Sequence, residues 1–171
     1  LWHTQRIIID YKLKLNGDLA IDNSRLRKIF VWNNKATVRL DANNKWHNVD
    51  EVISYLHALE VPITGIEEPL VHGSAEALNL LAQKIDTTII LDEHACSIDD
   101  LKLFNDPSKF IVNLRVSKCG GIINTIAMAE YAFSKGFGVI VGAQVGESSL
   151  LTRAATVVVN TLSKQPFAQE G

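Results

Sequence analysis

The chain has little sulfur, few prolines and no long apolar run. Its 171 residues include two cysteines, Cys96 and Cys119, and one methionine. Two isolated cysteines cannot build a disulfide framework or a structural zinc site, so a reducing cytoplasm is the default location, and neither sits in a pattern that makes it a nucleophile. Apolar runs stop after about ten residues, well short of the roughly 20 needed to span a bilayer. No signal-peptide cleavage pattern opens the sequence, although Leu1 in place of methionine predicts a longer parent chain. Neither sign of charge dominates. The net charge is −2 and there is no polybasic stripe, which argues against nucleic acid and membrane as partners.

What remains is the composition of a globular domain, 47% hydrophobic and 21% charged. The length suffices for one domain with its own core but falls short of the roughly 250 residues of a complete eight-fold barrel. Residues 7–15 read as a strand, 22–32 as a helix, and 38–41 as a strand ending in Asp41. Asn48 followed by Glu51 is an N-cap signature for a helix that Pro62 ends. A strand reaches Glu67, Ser74 caps a helix through about Lys84, and 88–92 is a strand. Ser97 with Asp100 starts a short helix, and 110–116 is the fifth strand. Gly120-Gly121 introduces a helix over 122–134 closed by Gly136. A strand over 139–141, a helix over 149–160 and a polar tail complete the chain. Six strands alternating with six helices predict an α/β fold with a parallel sheet.

Three of the strands end alike. Leu40-Asp41, Ile66-Glu67-Glu68-Pro69 and Leu91-Asp92-Glu93 each close an apolar run with a carboxylate, at spacings of 26 and 25 residues. One βα unit consumes about that many residues, so Asp41, Glu67 and Asp92 fall at equivalent positions of successive units. Charged strand ends recurring in this way favour a closed ring over an open sheet. An all-oxygen ligand set suits a hard cation, Mg²⁺ before Mn²⁺ or Ca²⁺. Glu68 and Glu93, one residue on, should point to the opposite side and be structural. Asn43 shares the Asp41 face and is either a ligand-orienting group or a turn residue. In the first strand Lys12 and Lys14 lie on one face, with Tyr11, Leu13 and Leu15 on the other. In the fifth, Asn113 and Arg115 share a face.

These motifs together, Lys12-Leu13-Lys14, Leu40-Asp41-Ala42-Asn43, Ile66-Glu67-Glu68-Pro69, Leu91-Asp92-Glu93 and Asn113-Leu114-Arg115 leading to Gly120-Gly121, resemble the enolase superfamily. Within it, they are similar to the muconate-lactonizing-enzyme-like subgroup of mandelate racemase relatives. The resemblance runs from residue 10 to about 160. It implies a (β/α)7β TIM-type barrel, here incomplete with about six βα units, the first and eighth strands and the amino-terminal capping domain being absent from residues 1–171. It further implies Mg²⁺, or Mn²⁺, on Asp41, Glu67 and Asp92, with Lys14 removing the proton α to the carboxylate of a small-molecule substrate to give a metal-stabilised enediolate. Lys12 would disfavour the charged form of Lys14 by repulsion and itself face the substrate carboxylate.

Two departures from the subgroup matter. Arg115 stands where relatives carry a lysine, and arginine stays protonated, which removes a second base. It would instead stabilise charge or lie against an aromatic substrate. That favours a lyase of the o-succinylbenzoate synthase kind over cycloisomerase or dipeptide epimerase chemistry. Lys118, out of phase with Arg115, is not expected to replace it. The His-Asp dyad of the mandelate racemase subgroup is also missing. Glu147 matches a supporting or substrate-contacting glutamate, and Asn43 and Asn113 are the other substrate-binding candidates. A non-catalytic barrel fragment serving as a binding or structural module is the alternative from another class, and association into a homo-oligomer stays open.

Overall fold

The structure is a computed structural model that describes residues 9–71, 73–144, 146 and 148–170. Strands and helices alternate: β1 (Asp10–Lys14), α1 (Leu19–Trp32), β2 (Thr37–Asp41), α2 (Val49–His57), β3 (Gly65–Glu67), α3 (Ala75–Lys84), β4 (Thr88–Leu91), α4 (Ile98–Leu101), β5 (Phe110–Leu114), α5 (Ile122–Lys135), β6 (Gly138–Val141), α6 (Ser149–Thr161) and β7 (Ala168–Gln169). The chain divides into two compact units between Ile89 and Ile90, within β4.

In the first unit β1, β2 and β3 pair side by side, parallel and in chain order. Successive strands laid down in one direction are the growth pattern of a TIM-type barrel, unlike the doubly wound sheet, whose order reverses at a switch point. Leu13, Val38, Leu40 and Ile66 are buried on one face, each contributing about 1.5–3 kcal/mol. The other face carries Asp10, Lys12 and Lys14 on β1 and Arg39 and Asp41 on β2, as the alternation requires.

Helix starts follow the expected caps. Asn48 accepts from the Glu51 amide, Ser74 from the Ala77 amide, and Ser97 and Asp100 form a reciprocal capping box. Two expectations fail here. Helix α1 begins at Leu19, three residues early, because Asp18 caps it through the Ala20 and Ile21 amides, which puts Asp22 inside the helix. Helix α2 stops at His57, well before Pro62.

In the second unit β5, β6 and β7 pair parallel in chain order. Ile90, Ile111 and Ile140 form a buried cluster against which Ala168 packs. Strand β7 corrects the expectation of a polar tail and makes seven strands among the described residues where six were expected. Its two residues are too few to show alternation, yet the Phe167 and Glu170 amides extend its pairing to the carbonyls of Val139 and Val141. Gly136 closes α5 in the left-handed conformation (φ +94°), as a C-terminal glycine does. No helix among the described residues is long and apolar enough to cross a membrane.

Candidate functional site

The ends of β1, β2 and β3 bring three candidate residues into one row. Lys14 is the register partner of Asp41, and Asp41 of Glu67. Adjacent strands lie about 4.8 Å apart, and register partners project from the same face, so a lysine and two carboxylates share one rim. Backbone bonds continue past the strand ends: the Leu15 amide donates to the Asp41 carbonyl (2.9 Å), and the Ala42 amide to the Glu67 carbonyl (3.1 Å). Asp41 Oδ1 accepts the amide of Asn43 (3.2 Å), which orients the carboxylate. Asn43 and Asn44 both sit at φ +52°, in the left-handed region where asparagine is at home in turns.

Lys12 lies one pleat below this row, and its Nζ reaches up to Glu67 Oε2 at 2.6 Å and Asp41 Oδ2 at 3.9 Å. An ammonium group thus marks a point that both carboxylates can reach, and the donor set there is oxygen alone. This pair fits a hard cation. Among the described residues, no group of three or more His, Cys, Asp or Glu is gathered to hold a metal. Beside Lys12, Arg39 is buried and donates to Asp10 through Nη2 (2.7 Å to Oδ2) and Nε (3.3 Å to Oδ1). Thr37 Oγ1 adds a bond to Asp10 Oδ1 (3.2 Å). Arg39 shares the parity of Asp41 in the sequence, which places the two on the same face of β2.

In the second unit Asp92 follows β4 and is buried. Its Oδ1 accepts from Arg115 Nη2 (2.6 Å) and Lys118 Nζ (2.9 Å). Lys118 Nζ also donates to the carbonyls of Asn113 (2.8 Å) and Asp92. The expectation that Lys118 is out of phase with Arg115 is therefore corrected. Strand β5 ends at Leu114, so alternation does not extend to residue 118, and the turn lets this long side chain fold back onto Asp92. Arg115 Nη2 lies 3.5 Å from Glu93 Oε1.

Asn113 is buried, in register with Ile140. Its amide lies so close to Gly142 that a Cβ there would come within 2.1 Å of Asn113 Oδ1, which makes glycine obligatory at that position. Glu68 is also buried, and at φ +40° it leaves the extended conformation, so strand alternation does not set its direction. Burial pushes the Cys119 thiol up from its ordinary pKa, against the opposing influence of Lys118, as suits an unreactive thiol. Glu147 lies outside the described residues.

A model of the enolase C-terminal domain-like family matches residues 4–170. The hydrophobic dipeptide epimerase of Enterococcus faecalis is 25% identical over 146 residues, 84% of this chain and 41% of that one. The crystal structure of a dipeptide epimerase from Enterococcus faecalis superposes with a TM-score of 0.85 at 22% identity, covering 98% of this chain and 49% of that one. Chloromuconate cycloisomerase CbnB of Cupriavidus necator is 28% identical over 163 residues, 94% of this chain and 44% of that one. The Cytophaga hutchinsonii dipeptide epimerase, solved with Mg and the dipeptide D-Ala-L-Val, has a TM-score of 0.81 at 28% identity, covering 98% of this chain and 46% of that one. The chain spans less than half the length of each of these proteins. With a family match over nearly its whole length, and with parallel βα units carrying charged residues at the strand ends, this chain belongs to the enolase C-terminal domain-like family and has the α/β fold of an incomplete TIM-type barrel.

Proposed function

We propose that this chain is the barrel portion of a Mg²⁺-dependent enzyme that removes the proton α to a substrate carboxylate, with Lys14 as the base. The observation that supports it most is the row Lys14, Asp41, Glu67 at the ends of three adjacent parallel strands. Asp41 and Glu67 would hold the metal, with Asp92 as third ligand on the strength of its sequence position. Mn²⁺ would be accepted by the same oxygen set. When bound, Mg²⁺ supplies positive charge against the substrate carboxylate, whose α-proton is otherwise a very weak acid. Lys14, exposed at the rim, takes that proton. Lys12 supplies a second positive charge beside the carboxylates.

Arg115 decides the outcome of the reaction. A guanidinium stays protonated, so no second base stands at that position, and inversion through two lysines is disfavoured. A one-base reaction follows, either β-elimination of the o-succinylbenzoate synthase kind or cycloisomerisation. The cycloisomerase relative matches 94% of this chain.

Exchange of the α-proton in D₂O with Mg²⁺ tests this reading. The substrates to try are L-Leu-L-Tyr and L-Leu-D-Tyr, N-succinylarginine and muconolactone, classes suggested by the names of the relatives. Exchange is expected in one epimer of a pair only, lost in Lys14→Ala and retained in Lys84→Ala. Exchange that survives Lys14→Ala sinks the assignment.

A non-catalytic binding or structural module is favoured by one observation: Glu67 and Asp92 already hold cationic side chains of the protein. Calorimetry separates the two readings. Mg²⁺ binding that is absent, or indifferent to Asp41→Asn and Glu67→Gln, supports the module.

A further inference from the structure

Asp22 is an aspartate with no solvent exposure, in the first turn of α1, and the chemistry proposed above makes no use of it. Burying a carboxylate is costly unless donors surround it, and four groups do so here. Oδ1 accepts the amide of Asn16 (3.0 Å), and Oδ2 accepts the amide of Gly17 (3.0 Å) and the hydroxyl of Tyr55 from α2 (2.8 Å). Arg25 Nη1 lies 3.5 Å from Oδ1. Burial by itself would raise the Asp22 pKa, but these bonds and the arginine charge outweigh it and hold the group below the ordinary carboxylate value.

Two of these donors, the Asn16 and Gly17 amides, belong to the loop that leaves β1, and Arg25 reaches the same stretch. Arg25 Nη1 also donates to the carbonyl of Lys14 (2.9 Å). Lys45 Nζ donates to the carbonyl of Asn16 (3.2 Å), and a side chain at position 17 would displace the Lys45 ammonium from it. Gly17 itself sits at φ +95°, so its tight turn needs glycine. Residues 14, 16 and 17 therefore each have a backbone group bonded to Asp22, Arg25 or Lys45. This is far more than a helix start requires, since Asp18 already caps α1. Hydrogen bonds to a charged acceptor are about twice as strong as neutral ones.

We propose that Asp22, with Arg25 and Tyr55, is a positioning network that holds the Lys14 backbone at the rim in register with Asp41. The inference rests on the reading of Lys14 as the base. Asp22 touches no reacting group and acts through the loop. Losing it lets residues 14–17 move, and the geometry of proton transfer with them, whereas the carboxylate pair on β2 and β3 keeps its place.

The test uses the full chain and three variants. Asp22→Asn replaces an acceptor by a donor facing the Gly17 amide or the Tyr55 hydroxyl. Tyr55→Phe removes one bond. Arg25→Met, at a partly exposed position, removes the tie to the Lys14 carbonyl. In exchange assays with L-Leu-L-Tyr, the proposal expects kcat to fall about 10- to 100-fold in Asp22→Asn, as small misplacements do, with KM within about twofold. Arg25→Met and Tyr55→Phe should give smaller losses of the same kind.

Two readouts are independent of turnover. Amide exchange at Asn16 and Gly17 should quicken about tenfold or more in Asp22→Asn while β2 amides keep their protection. The ¹³Cε resonance of labelled Lys14 should shift in all three variants while that of Lys135 does not. An unchanged Lys14 resonance, or a kcat equal to wild type in a folded Asp22→Asn, overturns the proposal. If the wild type shows no exchange with any substrate, the functional reading fails, and the Lys14 resonance alone then decides the positioning role.

Discussion

The two units treat their strand-end carboxylates differently. In the first, Asp41 and Glu67 share one ammonium, that of Lys12, which is 27% exposed. In the second, a single oxygen of Asp92 takes both Arg115 and Lys118, which are 14% and 11% exposed. A cation arriving at the first pair would displace one partly exposed lysine. At Asp92 it meets a carboxylate already bonded to a guanidinium and an ammonium. The same kind of group thus faces one partly exposed cation in one unit and is the centre of a packed charge cluster in the other. Burial of the cations decides which, since Glu67 and Asp92 are themselves comparably buried, and removing one partner of a buried pair leaves the other charge without compensation.

Amide substitution measures this difference directly. Asp92→Asn should cost about 3–5 kcal/mol, the usual penalty for breaking a buried ion pair, since two largely buried cations lose the negative charge they share. Glu67→Gln should cost less than Asp92→Asn, because Lys12, 27% exposed, can turn toward solvent while the isosteric amide fills the buried site of the carboxylate. Denaturant midpoints at constant slope give both values. Equal costs would show that the units do not differ in this respect.

A smaller effect is expected at Arg115. Arg115→Lys restores a group able to lose its proton at that position, and the second epimer should begin to exchange, to about a tenth of the rate of the first, given the 10²–10⁴-fold worth of a well-placed base. Lys118 bonds the same oxygen and keeps Asp92 partnered in that variant, so stability should change by less than about 1 kcal/mol. Stereospecific loss of the α-proton, followed by NMR for each epimer, checks it. A variant that still exchanges one epimer alone would show that position 115 does not face the substrate.

Asp22 predicts a pH effect in the first unit. Its folded pKa lies below the unfolded value, so its contribution is fully present above the unfolded aspartate value of about 3.9. It is lost as pH falls through the lower folded value. Asp22→Asn should therefore lower stability at neutral pH and flatten the acid limb of a stability profile. Parallel profiles for the two proteins would refute the charge-assisted network.

The sequence made the strand ends legible because they follow short-range rules. Alternation placed Lys12 and Lys14 together, and turn chemistry located the caps at Asn48, Ser74 and Ser97. Equal spacing identified Asp41 and Glu67 as neighbours, and their register confirms it. What escaped notice depends on contacts between residues distant in the chain or on geometry beyond strand ends. Lys118 returns to Asp92 across 26 residues, through a turn where alternation has no meaning. Asp22 looked like the first residue of a helix, and only the bond from Tyr55, 33 residues on, reveals it as a buried hub. Strand β7 is too short to show a period, and its pairing with β6 alone defines it.

The smallest expected effect calibrates the rest. Lys84 Nζ and Asp50 Oδ1 stand 3.7 Å apart, with side chains 46% and 87% exposed. By charge type the pair matches Lys12 with Glu67, but water surrounds both partners, so ordering two mobile side chains offsets most of the Coulomb gain. Lys84→Ala should change stability by no more than about 0.5 kcal/mol, and that change should vanish in 1 M salt, where the screening length is about 3 Å. The cost of Asp92→Asn should persist in the same salt, since ions do not enter a buried cluster. If the two respond alike to salt, Asp92 is screened as a surface group is, and burial is not what separates the units.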